Sequence, residues 1–90
     1  MAEIVLVRAY HGEPVKMVAQ KAVPGLVYVA LSRSDGFPDT DGIGFPESDV
    51  FVYNSEAYEA LARLWGRARH VPIGKWRELK LERYIPQRVD

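Results

Sequence analysis

NSEAYEALARLWGRARH, residues 54–70, is the one stretch of the chain with a clear helical period. Ala57, Leu61, Leu64 and Ala68 recur at intervals of four, three and four residues, with Tyr58 and Trp65 flanking the stripe. Glu56, Glu59, Arg63, Arg67 and His70 fall on the opposite side. Asn54 is placed to cap this helix, because its short side chain accepts from a backbone N–H one turn on. Tyr53 and Tyr58 straddle the cap at the spacing of a hydrophobic staple. Glu56 near the start and Arg67, Arg69 and His70 near the end suit the helix dipole. Glu59 and Arg63 add an i, i+4 pair in the favourable order. Pro72 ends the run, since proline cannot continue a helix. Gly66 is the weak position, costing about 1 kcal/mol relative to Ala in a helix interior; it either ends the helix early or admits a close strand. Leu61, Leu64 and Trp65 are the expected anchors, each contributing about 1.5–3 kcal/mol when fully buried.

A lone amphipathic helix must bury its stripe on something, and the rest of the chain supplies strands. Before the helix, residues 49–53 (DVFVY) are a short strand. Residues 34–48 (SDGFPDTDGIGFPES) hold three glycines, two prolines and three aspartates and read as a long loop. Gly36-Phe37-Pro38 recurs as Gly44-Phe45-Pro46 around an Asp41-Gly42 tight-turn pair, which suggests a flap with its phenylalanines packed together. Residues 26–33 (LVYVALSR) and 15–23 (VKMVAQKAV) are strands joined by Pro24-Gly25, the central pair of a type II turn. In the second of these, Val15, Met17 and Ala19 share one face, and Lys16 and Gln20 the other, which Val18 interrupts. Residues 11–14 turn the chain, and residues 3–10 (EIVLVRAY) are a strand apolar on both faces, the mark of a central strand covered twice. After the helix, residues 71–74 turn the chain again. In residues 75–86 (KWRELKLERYIP), Leu79, Leu81 and Ile85 alternate with Trp76, Glu78, Lys80, Glu82 and Tyr84, which favours a fifth strand over a second helix.

The expected fold is α+β: an antiparallel sheet of about five short strands, in the order βββ–loop–β–α–β, with the amphipathic helix packed on a face. The alternative is a small SH3-like barrel with an appended helix and strand. The short strands and the stretch from Gly44 to Val50 are compatible with it. At 90 residues the chain is expected to form a single domain, residues 1–90, with a frayed tail at 87–90. Neither a secretory leader nor an apolar run near the roughly 20 residues needed to span a bilayer is visible. With no cysteine, a cytoplasmic location is expected and disulfide or thiolate chemistry is excluded. One Asn, two Gln, two Met, no Cys and six prolines hint at a thermophilic source.

Net charge is zero but unevenly spread. Residues 1–30 carry +1, residues 31–60 carry −6 and residues 61–90 carry +5. One acidic and one basic surface follow, which can neutralise each other within the fold or between copies.

Catalytic and metal motifs are sparse. Asp39-Thr40-Asp41-Gly42 has the flavour of a calcium loop, but Ile43 and Val50 occupy the fifth and twelfth positions counted from Asp39, where oxygen ligands belong. Asp39 and Asp41 are therefore only a weak metal candidate, and turn chemistry explains them better. Neither His11 nor His70 has a ligand partner at sequence spacing, so a metal site would have to assemble across the fold. Ser32, Ser34, Ser48 and Ser55 lie in no nucleophile elbow. No phosphate loop appears, and no cofactor is expected. Binding rather than catalysis is the expected role, and a small hydrolase or nuclease built on His11 or His70 ranks last.

The basic C-terminal third is the lead. Arg63, Arg67, Arg69, Lys75, Arg77, Lys80 and Arg83 interleave with Trp76 and Tyr84, residue types that interfaces favour. A protein-interaction or regulatory module is expected, with a partner protein or a second copy, as in a homodimer, on this surface. The alternative is nucleic-acid binding through residues 63–84, with cations on phosphates and aromatic faces on bases. Glu78, Glu82 and a pI near 6.7 weigh against it.

Overall fold

β-Branched Ile4, Val5 and Val7 make up half of the first strand, β1 (Glu3–Arg8), an interior strand of the sheet. β1 pairs antiparallel with β2 (Pro14–Val23) on one side, in unbroken register from Glu3 opposite Ala19 to Arg8 opposite Pro14. On the other side it pairs with β5 (Val50–Val52). β3 (Leu26–Ala30) and β4 (Ile43–Pro46) complete a five-stranded antiparallel sheet in the order β4-β3-β2-β1-β5. The computed structural model describes residues 3–31 and 42–86.

Alternation divides β1 between two apolar layers. Val5 and Val7 point to one face and pack with Met17, Ala19, Val27, Val29 and Val50. Leu6 points to the other, with Phe51, Leu61, Val71 and Trp76. The expected double coverage of this strand is what forms. Pro24-Gly25 turns β2 into β3 as expected, with Gly25 at φ +85°. The β2–β3 register slips between Ala19 and Lys21, so Gln20 is the extra residue of a bulge. Just beyond it, Lys21 Nζ lies 5.1 Å from the Tyr28 ring centroid.

The second half of the expected 34–48 loop is ordered structure instead: β4, then a 3-10 turn over Glu47–Asp49. Its glycines and prolines read as turn punctuation, but Ile43, Gly44 and Phe45 pair with Val29, Tyr28 and Val27. A side chain at Gly44 would sit 3.4 Å from the Tyr28 ring, and Phe45 packs against the first apolar layer. The earlier part of the loop, with Phe37, Asp39 and Asp41, and the tail 87–90 lie outside the described residues.

The quoted stretch forms α1 (Ser55–Ala68), capped by Asn54, whose Oδ1 accepts from Ala57 N–H at 3.0 Å. Tyr53 and Tyr58 meet across the cap, ring centroids 6.0 Å apart. Arg69 ends the helix in the left-handed region, its N–H donating to the Trp65 carbonyl at 2.9 Å. Gly66 neither ends the helix nor admits a close neighbour; a Cβ there would meet nothing within 4 Å beyond the helix itself. Leu61 is fully buried, whereas Leu64 and Trp65 are half-buried.

The expected strand at 75–86 is corrected. Residues Ile73–Glu78 form a second helix, α2, with Pro72 as its N-cap. Ile73 and Trp76, three apart, turn inward together, and burial of the large indole outweighs the period-two pattern. Only the following segment behaves as a strand, covering the outer edge of β5. Val52 N–H donates to the Glu82 carbonyl (2.8 Å), Tyr84 N–H donates to the Val50 carbonyl (3.0 Å), and Phe51 bridges to Arg83. The named strands do not close into a barrel, since their order runs from β4 at one end to β5 at the other, although this order does not contradict the small-barrel alternative. No helix among the described residues is long and apolar enough to cross a membrane.

Candidate functional site

The C-terminal residues nominated from sequence do not form one surface. Trp76 is 1 % exposed. Its ring lies 5.4 Å from that of Phe51, and its indole N–H donates to the Gly12 carbonyl at 3.3 Å. It is a core residue and offers no face on which a base or a partner side chain could stack. Lys75 pairs with Glu78 across one turn of α2 at 3.6 Å, well exposed, a contact contributing little in water. Arg63 and Arg67 stand exposed on α1, and the Arg69 guanidinium lies over the Trp65 ring at 5.7 Å. Tyr84 is half-buried, packed against the first apolar layer, and hydrogen-bonded to the Glu3 side chain. Burial first, and then the Glu3 carboxylate beside it, push the Tyr84 phenol above its ordinary value.

Three of the nominated cations do converge. Arg77 at the end of α2, Lys80 just beyond it and Arg83 on the strand-like segment line a cleft of about 330 Å³ between α2 and β5. Phe51, Ile73 and Leu81 make its apolar walls, with the buried edge of Trp76 behind them, and Ser48 contributes a hydroxyl. No carboxylate lines it, and among the described residues none of the three cations is ion-paired. Arg83 also borders a neighbouring depression with Glu47, Tyr84, the 84 % exposed Ile85 and Pro86, so the surface continues along the chain.

Local structure explains how the cations come to point there. α2 ends at Glu78 with Leu79 as its C-cap, and Lys80 takes φ +52°. That left-handed residue swings the chain from the helix to the edge of β5, so that Leu81 faces the second apolar layer. A non-glycine residue in this conformation is disfavoured by about 1–2 kcal/mol. The cleft can therefore desolvate an apolar group against Phe51 and Leu81 while three cations engage anionic oxygens around it. Guanidinium groups grip carboxylates with two parallel hydrogen bonds.

Phe51, Leu81 and Ser48, which the sequence did not nominate, matter here through position alone. The i, i+3 pair Ile73 and Trp76 was the signal that would have turned residues 73–78 into a helix and opened the cleft to view. Compared with known proteins, the chain matches no family model, no curated protein and no solved structure.

Proposed function

We propose that this chain is a protein-interaction module whose cleft between α2 and β5 receives an acidic segment of a partner. The carrying observation is the convergence of Arg77, Lys80 and Arg83, unpaired among the described residues, on apolar walls with no carboxylate in the lining. A site of this size suits one apolar side chain flanked by Asp or Glu, or by a chain-terminal carboxylate. Nucleic acid is the weaker occupant, because Trp76 is sequestered in the core and stacking on aromatic faces is a main source of single-strand affinity. We read the occupant as bound rather than transformed, because the lining offers Ser48 no histidine to activate its hydroxyl. A second copy, presenting its own acidic middle third, is one such partner.

Selection of random peptides displayed on phage tests this. Enrichment of an apolar residue flanked by Asp or Glu is expected, with affinity that falls on the order of tenfold when Arg77 is changed to Ala. Lys80→Gly should weaken peptide binding while leaving the fold as stable or more so, because glycine accepts the left-handed backbone. Lys75→Ala, outside the cleft, should change neither. No enrichment of acidic sequences, or binding indifferent to Lys80→Gly, overturns the proposal. Preference for single-stranded oligonucleotides with a steep salt dependence would put nucleic acid in its place. Sedimentation at low and high salt decides whether a second copy is the partner.

A further inference from the structure

The chain's two histidines, 59 residues apart in sequence, meet on the surface away from the cleft lining. The His11 and His70 ring centroids are 5.8 Å apart, with planes inclined by 62°. We propose that His11 and His70 form a two-imidazole site for a borderline divalent cation of the zinc class. Borderline cations of this kind favour imidazole nitrogen over oxygen ligands. A zinc ion about 2.0–2.1 Å from one nitrogen of each ring, at a near-tetrahedral angle, sets the ring centroids roughly 5–6 Å apart. The observed separation lies within that range.

The pair is anchored through its backbone. Val71 N–H, next to His70, donates to the His11 carbonyl at 2.8 Å. His11 and Gly12 both take left-handed conformations, φ +57° and +83°, in the turn between β1 and β2. Gly12 lies so close to Val71 that the two segments cannot slide. The 79 % exposed Tyr10 packs at a tilt against the His11 ring, centroids 3.9 Å apart and planes inclined by 50°. Both imidazoles are exposed and reachable by an ion. With both backbones held, only the two side-chain rotamers remain for the ion to order, so the second imidazole acts at a high effective concentration. Among the described residues no group of three metal-ligating side chains forms, so water completes the coordination shell.

Titration of the untagged protein with zinc chloride, followed by calorimetry, tests the site. One ion per chain is expected, and zinc should raise the thermal midpoint by several degrees because it binds the folded state alone. His70→Ala and His11→Asn should each weaken binding by at least about tenfold, since either leaves a single imidazole. Asparagine tolerates the left-handed backbone at position 11, so that variant keeps the turn. Thermal midpoints of both variants without zinc check the fold. Loss confined to one variant would reduce the site to a lone imidazole and overturn the proposal. Binding that survives both substitutions would overturn it too, as would the absence of any zinc-induced stabilisation.

Discussion

Gly12 is the residue on which the two halves of the chain close. A Cβ there would lie 1.8 Å from the Val71 carbonyl oxygen, a position no side chain can share, and φ +83° adds strain for any L-residue. Its carbonyl also accepts the Trp76 indole N–H, the one polar atom of the largest buried side chain. Gly12→Ala should therefore destabilise the fold by roughly 2–5 kcal/mol, combining overpacking with left-handed strain. Urea unfolding followed by Trp fluorescence would read the loss. In sequence, Gly12 looked like ordinary turn punctuation, because its constraint comes from a carbonyl 59 positions downstream. Trp76 was misplaced for a related reason: surrounded by Lys75, Arg77 and Glu78, it reads as a surface aromatic, and only the docking of α2 on Phe51 puts it inside.

At the scale of elements, α1 was legible almost to the residue because everything that defines it is local: period, cap, staple and dipole. Its contribution is correspondingly easy to tune. Gly66→Ala should raise stability by about 0.5–1 kcal/mol, since the glycine is exposed mid-helix with open space beside it. Asn54→Ala should lower stability by about 1 kcal/mol through the lost cap to Ala57 N–H. Thermal melts of the two variants, moving in opposite directions, check both. β4 and α2 were misread because their identity is not local. Ile43–Pro46 carries turn residues and becomes a strand by pairing with β3. Residues 73–86 carry both periods, and the chain uses one after the other: a helix that buries Ile73 and Trp76, then a bridge at Arg83.

For the whole molecule, Tyr84 ties the end of the described chain to its beginning, donating toward Glu3 at the start of β1. Its phenol is raised above the ordinary value, so the protonated form is the one the fold favours. That contribution is complete below the unfolded value of about 10 and is lost as pH climbs through the higher folded value. The urea midpoint should therefore fall as pH rises through about 10 and beyond, and the fall should be smaller in Tyr84→Phe than in the native chain. The charge asymmetry of the sequence also takes shape only at this scale. Of seven nominated cations, Arg77, Lys80 and Arg83 meet at one cleft, Lys75 is neutralised by Glu78, and three stay with α1 or its C-cap. The α+β class, the doubly covered interior strand, the β2–β3 turn and α1 with its caps were legible in the sequence, because periodicity and capping act over a few residues. Tertiary structure alone decided that Trp76 is core, that three cations share apolar walls, and that His11 meets His70. Each of these depends on contacts between segments far apart in the chain, which only packing brings together.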